Sequence, residues 1–369
     1  MTNRLLHITA SLERCSTARS LVDLVTALPR DEFEVQVATL DATGPLAAEL
    51  ADAGVAIHSI GRRRALDPVA YANLRQLVSQ LRPALVQTWN FAAGAYGRAA
   101  AQAAGIENLV GTQRHVEPRQ RWMQRLVERR LDRRTTRVVA TSDLIYELCR
   151  QRNLATSQLT KIPAAVPPHV DQAAGISREQ LLAELKIEGE ARLMIFVGRL
   201  ELRKGLRDVL WTIELLKTAR DGVHLLVVGD GPLRETLVRY RDLYLLRDRV
   251  HFLGPREDVS RLLELCDLAV SGNVYGGLSR AVLEAMAAGL PVVATDTSAH
   301  RELVLPEQTG YLTAVGDTML MARYVSKILD DAPLAERLGA AARRRVAECF
   351  SHERMVASWL DLYRELLSG

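Results

Sequence analysis

The sequence predicts an α/β protein of two parallel-sheet domains, each wound with helices on both faces, and three observations carry that expectation. The chain has 369 residues, too long for one ordinary core when a domain typically takes about 100–200. Short β-branched or apolar runs alternate with amphipathic helical stretches throughout, the pattern of parallel strands joined by crossover helices. Midway, KIPAAVPPHVDQAAG (161–175) carries Pro163, Pro167 and Pro168 and no periodicity, which reads as an interdomain linker.

In the first half the strand candidates are LLHITA (5–10), FEVQVATL (33–40), VAIHSI (55–60), ALVQTW (84–89), NLVGT (108–112) and RVVAT (137–141). Helical patterns fall between most of them, at 16–28, 68–81, 93–104 and 119–134. The second half repeats the alternation. RLMIFVG leads to a helix from Leu206, HLLVVG to a helix from Pro232, and RVHFLG to a helix near Val259; then come DLAVSG, the helix around Glu284 and PVVAT. The predicted organisation is a first Rossmann-like, doubly wound domain over 1–165, a second over 176–345, and a long amphipathic helix, SHERMVASWLDLYRELL, within 346–369. Two such domains facing each other would set the C-terminal ends of two sheets along a cleft, where ligands of open α/β sheets bind.

A hydrophobic content of 48% against 25% charged describes a globular chain, and no run reaches the roughly 18 apolar residues of a membrane span. The N-terminal MTNRLLHITASLERC lacks the apolar core and cleavage site of a secretory signal. Cys15, Cys149, Cys266 and Cys349 are scattered without metal-like spacing and read as reduced thiols of a cytoplasmic protein.

The net charge of +4 is unevenly placed: residues 1–165 hold 22 basic against 15 acidic side chains, the remainder 26 against 29. The excess concentrates in GRRR (61–64) and in RHVEPRQRWMQRLVERRLDRRTTR (114–137), which has nine arginines against three acids. Within that stretch Trp122, Met123, Leu126, Val127 and Leu131 fall on one side of a helix. Such a helix suits either an anionic membrane surface or a plain surface helix with its arginines in water, and both readings stay open. No RNA- or DNA-binding motif accompanies it, and a first-half excess of +7 (22 − 15) is modest for a nucleic-acid partner.

Three strand-to-helix junctions of the second half have the chemistry of phosphate binding. In FVGRLELRKGL (196–206), Arg199 and Lys204 share one loop at a strand end. They either converge on a diphosphate, each charge-assisted hydrogen bond contributing roughly 1.5–3 kcal/mol, or form a solvated basic loop. The P-loop pattern is absent. In LLVVGDGPLRETL (225–237), Asp230 reads as a turn residue or helix cap rather than a catalyst. In YGGLSRAVLEAMAAG (275–289), Gly276 and Gly277 let backbone approach a ligand, and the helix that follows offers its N–H groups to an anion. Glu284 lies about two turns in, among Ala281, Val282, Leu283, Ala285, Met286 and Ala287. A carboxylate on a helix apolar nearly all round needs a partner, and a ribose diol offers two donors.

These segments, with HFLGPREDVSRLLELCDLAVSG, PVVATDTSAHRELV and TGYL, run in order over about residues 193–313. Over that span the second half resembles the nucleotide-binding domain of the group 1 retaining glycosyltransferases of the GT-B fold, which include bacterial mannosyl- and glucosyltransferases and glycogen synthases. The first half resembles the family only in general pattern. The resemblance implies a C-terminal helix that crosses back to the first domain. It also implies transfer of a hexose, with retained configuration, from a UDP-, GDP- or ADP-sugar to a glycan or lipid-linked acceptor. No further cofactor is implied, and no metal, since the chain has no D-x-D triplet.

By the same resemblance Arg199 and Lys204 bind the donor diphosphate, and Glu284 binds the ribose. The backbone of Gly277, Leu278 and Ser279 faces the phosphates, Gly254 and Arg256 lie near the base, and His115 contacts the sugar. The alternative for His115 is simple membership of the arginine-rich segment. Four positions depart from the family. Gly276 stands where a first glutamate is usual, eight residues before Glu284, and Cys15-Ser16 where a glycine pair is usual. QTWNFAA (87–93) replaces a stretch that often holds histidines, and Ala164-Ala165 replaces an Asn-Gly. They leave a second reading open: a catalytically impaired relative that binds a nucleotide sugar or glycan and acts through a partner. The expected location is cytoplasmic, with peripheral contact of residues 114–137 at the inner membrane face as one of the two open readings.

Overall fold

The computed structural model describes residues 2–41, 43–114, 122–152, 154–169 and 175–368. The chain divides into two compact units, Met1–Ala164 together with His352–Gly369, and Ala165–Ser351. No helix among the described residues is long and apolar enough to cross a membrane.

The strands of unit 1 are β1 (Asn3–Thr9), β2 (Phe33–Thr39), β3 (Ala56–Ser59), β4 (Leu85–Thr88), β5 (Asn108–Gln113), β6 (Arg137–Ala140) and β7 (Leu159–Lys161). Among the described residues they form one parallel sheet in the order β3-β2-β1-β4-β5-β6-β7. Of its central strands, β4 is buried throughout and β1 from Leu5 onward, because helices cover both faces of such a sheet. β7, with the sequence LTK, is too short and polar to read as a strand in isolation; pairing with β6 makes it one.

The helix His352–Ser368 belongs to unit 1 and buries Met355, Trp359, Leu362 and Tyr363 there. The Tyr363 hydroxyl donates to Gln87 Oε1, and Gln87 Nε2 donates onward to Thr112 Oγ1 at 2.9 Å. Beside them Trp89 Nε1 donates to His7 Nδ1 at 3.1 Å. Full burial pushes the His7 imidazole down to about 3, so it stays neutral and can accept that bond. Gln87 and Trp89, from the stretch where histidines are usual, thus hold this helix to the sheet.

Unit 2 contains β8 (Arg192–Val197), β9 (Val223–Val228), β10 (Val250–Gly254), β11 (Leu268–Ser271), β12 (Val292–Thr295) and β13 (Gly310–Thr313). Among the described residues they form a parallel sheet in the order β10-β9-β8-β11-β12-β13. The helices Leu206–Ala219 and Thr318–Asp330 bury Val209, Ile213, Val325 and Ile328 against Met194, Phe196, Leu225 and Val227 of the strands. The helix Ala332–Cys349, capped by the Asp331 carboxylate, also lies in unit 2. The sequence reading grouped 346–369; the structure divides that span at buried Phe350, after which a new helix begins.

Candidate functional site

In each sheet the strand order reverses once, between β1 and β4 and between β8 and β11, and ligands of doubly wound sheets bind at the C-terminal ends there. In unit 2 this point is built from two interlocked loops, 198–205 after β8 and 272–279 after β11. Gly205 has φ +60°, and a Cβ on it would stand 1.9 Å from the Gly272 carbonyl oxygen, so only glycine permits the approach. Val274 N donates to the Arg203 carbonyl at 2.9 Å and ties the loops further along.

The first loop carries three cations and one carboxylate. Arg203 pairs with Glu201 at 2.7 Å. Arg199 is exposed and Lys204 half-buried, and neither side chain has a hydrogen-bond or ion-pair partner among the described residues. Burial, reinforced by the nearby Arg203 and opposed by Glu201, brings the Lys204 ammonium down to about 8. At neutral pH the loop therefore presents two unpaired positive charges at the strand end. Asp230 is the turn residue of the neighbouring loop: its Oδ1 accepts from Gly231 N at 2.7 Å, and its carbonyl accepts from Leu200 N at 2.9 Å.

His300, to which no role was assigned from sequence, is fully buried beneath these loops. Its Nδ1–H donates to the Thr295 carbonyl at 2.7 Å, and its Nε2 accepts from the Ser271 hydroxyl at 3.1 Å. Burial first, then the charge of Lys204, brings it down to about 4, so it acts as a neutral clamp between the ends of β11 and β12. The Thr295 hydroxyl donates in turn to the Asn273 carbonyl at 2.5 Å, fixing the start of the second loop.

Gly277, Leu278 and Ser279 lie buried at the mouth of the helix Arg280–Ala287, where the Ser279 side chain is the N-cap and accepts from Val282 N. Gly276 has φ +140°, and a Cβ on it would stand 3.4 Å from Arg203 Nη1. The first-turn N–H groups of such a helix have no intrahelical acceptor and favour an anion.

One expectation needs correction. Glu284 is neither enclosed nor alone: its side chain is 31% exposed and pairs with Arg280, one turn before it, at 2.7 Å. Any ribose contact would compete with that guanidinium. Arg256, expected near the base, is held bidentately by Asp258 at 2.8 and 2.7 Å, with Glu184 at 3.6 Å. Gly254 is placed by its carbonyl, which accepts from Gly229 N at 2.8 Å. His115 lies outside the described residues. The structure thus brings Arg199, Lys204, Gly277, Leu278 and Ser279 onto two tied loops. No group of three or more His, Cys, Asp or Glu side chains that could hold a metal ion occurs among the described residues.

Residues 177–345 match the family described as glycosyl transferases group 1, and residues 17–165 match the glycosyl transferase 4-like domain. The group 1 match lies within the second unit and the 4-like match, but for its last residue, within the first. The chain is 31% identical over 200 residues to the N-acetyl-alpha-D-glucosaminyl L-malate synthase of Bacillus anthracis, a match covering 54% of this chain and 52% of that one. It is 30% identical over 224 residues to the 2-deoxystreptamine glucosyltransferase of Streptomyces kanamyceticus, covering 60% and 58%. The chain therefore spans only about half the length of the curated relatives it matches. Among solved structures it resembles HepE of Anabaena, crystallised in complex with UDP and glucose, with a TM-score of 0.87 at 20% identity over 98% of this chain and 100% of that one. At that identity the likeness is one of fold, two Rossmann-like α/β units.

Proposed function

We propose that the chain is a glycosyltransferase that transfers a hexose from a nucleoside-diphosphate sugar to a glycan or lipid-linked acceptor, with retention of configuration. The observation that carries the reading is the pair of unpartnered cations, Arg199 and Lys204, on a loop tied at Gly205–Gly272 to the loop that leads into the Arg280–Ala287 helix. Such an array is complementary to the charge that grows on a departing diphosphate. In the step, the bond from the sugar's anomeric carbon to the β-phosphate oxygen breaks, and a bond to the acceptor oxygen forms. The acceptor proton passes to an oxygen of the leaving phosphate, so no side-chain base is required. Glu284 binds the ribose by exchanging part of its Arg280 pairing for the two hydroxyls. The uridine diphosphate bound in HepE makes a UDP-sugar the first donor to try.

A second reading, a nucleotide-sugar binder without turnover, is favoured by Gly276, which leaves no carboxylate at that position. One experiment separates the two. Thermal unfolding with UDP, GDP, ADP and their sugar conjugates identifies the donor, a ligand at about 100 times its Kd stabilising by roughly 2.7 kcal/mol. Product formation with that donor and a membrane or glycan extract then establishes transfer. Nucleotide binding without product under any acceptor supports the binder, and silence from every nucleotide overturns both readings.

A further inference from the structure

The helix Pro68–Leu81 of unit 1 buries Ala70, Leu74 and Val78 against Leu6 and Ile8 of β1, Ala38 of β2 and Val86 of β4. No residue of the edge strand β3 joins that cluster. Between the helix and β3 runs an open groove of about 450 Å³. Asn73, Gln76 and Gln80 line it from the helix and His58 from the strand, while buried Ile60 and half-buried Leu77 add apolar surface. The three carboxamides have no hydrogen-bond partner among the described residues. The imidazole is held in one tautomer by a chain of bonds. Arg4 Nε and Nη2 donate to the Glu34 carboxylate at 3.0 and 2.9 Å, and Gln36 Nε2 donates to Glu34 Oε1 at 2.8 Å. That leaves Gln36 Oε1 to accept from His58 Nε2 at 2.8 Å. Burial lowers the His58 imidazole below its usual value, so it is neutral at pH 7. Its Nδ1 then remains as an acceptor with no partner among the described residues.

The groove thus offers one fixed acceptor, three groups that both donate and accept, two aliphatic patches and no charged side chain. A phosphate, a nucleotide or a cation finds no counter-ion in that lining, and a lipid chain would strand the carboxamides without partners. Sugar rings carry the complementary set, hydroxyls that each donate and accept and C–H faces that can rest on Ile60 and Leu77. We propose that this groove binds a neutral oligosaccharide, as an accessory glycan site separate from the loops after β8 and β11. In a protein that extends a glycan, such a site retains a long acceptor by sugars remote from the reacting end. An extended peptide could instead add to the free edge of β3, where Ile57 and Ser59 turn their backbone groups away from β2. It would use those groups and leave the three carboxamides unread, which makes it the poorer fit. The groove lies wholly within unit 1, so the proposal stands whether or not unit 2 turns over a nucleotide sugar.

The test is an array of neutral and anionic oligosaccharides probed with the labelled full chain, followed by calorimetry with the strongest neutral binder. Binding is expected to neutral glycans and should be unchanged by Lys204→Ala. Gln76→Ala and Gln80→Ala should each weaken it about fivefold, the loss of a hydrogen bond. Both positions are exposed, so an unchanged melting temperature confirms that the variants are folded. Retention of anionic glycans only, retention of none, or binding indifferent to the Gln76→Ala, Gln80→Ala double variant would overturn the proposal. So would capture on a peptide array that oligosaccharides fail to displace and Ile57→Pro abolishes, which would assign the groove to strand addition.

Discussion

At the scale of single residues, Lys204 decides the transfer reading. Lys204→Ala should weaken nucleotide binding by about one to two orders of magnitude, the equivalent of roughly 1.5–3 kcal/mol for one charge-assisted hydrogen bond; unchanged affinity by calorimetry would remove the diphosphate assignment. Its pH dependence has a definite sign. With the ammonium lowered to about 8 in the free protein, a bound diphosphate raises it again by favouring the charged form. Affinity should therefore be full below pH 8 and decline above it, with proton uptake on binding in that upper range. Gly276→Glu is expected to destabilise rather than restore the family's carboxylate, because φ of +140° is strained for any residue with a Cβ, at about 1–3 kcal/mol. A raised turnover at an unchanged melting temperature would refute this. The Glu284 partner was legible in the sequence RAVLE, where Arg280 stands four residues before Glu284, but counting the helix as buried concealed it. His300 left no such trace, since its partners Ser271 and Thr295 meet only when β11 and β12 lie side by side.

At the scale of elements, the second loop of the site depends on the His300 clamp. His300→Ala leaves the Ser271 hydroxyl without this partner in the core and should cost about 2–4 kcal/mol by urea unfolding; an unshifted midpoint would deny the clamp its role. Buried neutral histidines also set an acid limit. His300 and His7 are lowered to about 4 and about 3, so below the ordinary histidine value of about 6.5 the unfolded chain binds more protons than the folded one. Stability should fall as pH drops from 6.5 toward 4 and be insensitive to these groups above 7, which melting temperatures at pH 5 and pH 7 will show. The strands and crossover helices of unit 2 were readable because parallel strands buried on both faces are continuous apolar runs between glycine turns. The Trp122–Asp132 helix was misleading for the opposite reason. Its periodicity marked an apolar side, but ion pairs from Asp132 to Arg98 and from Glu128 to Arg152 decide which side faces the sheet. Partners 34 and 24 residues away (132 − 98 and 152 − 128) leave no mark on local periodicity.

At the scale of the whole molecule, unit 1 is made from two separated stretches of chain, with all of unit 2 between them in sequence. The helix His352–Ser368 fills unit 1 with Trp359, tilted against Trp89, and Tyr363, which meets His7 and Phe33 edge-on. Trp359→Ala should cost about 3–5 kcal/mol. In hydrogen exchange the loss of protection should be confined to 2–164 and 352–368, while 165–351 keeps its own; uniform loss would contradict that assignment. During translation the order of events is then constrained. As the ribosome releases the chain, residues 165–351 are complete before the helix carrying Trp359 and Tyr363 has emerged. The earlier-made sheet of unit 1 therefore waits with its aromatic seat empty until all of the second unit has been synthesised.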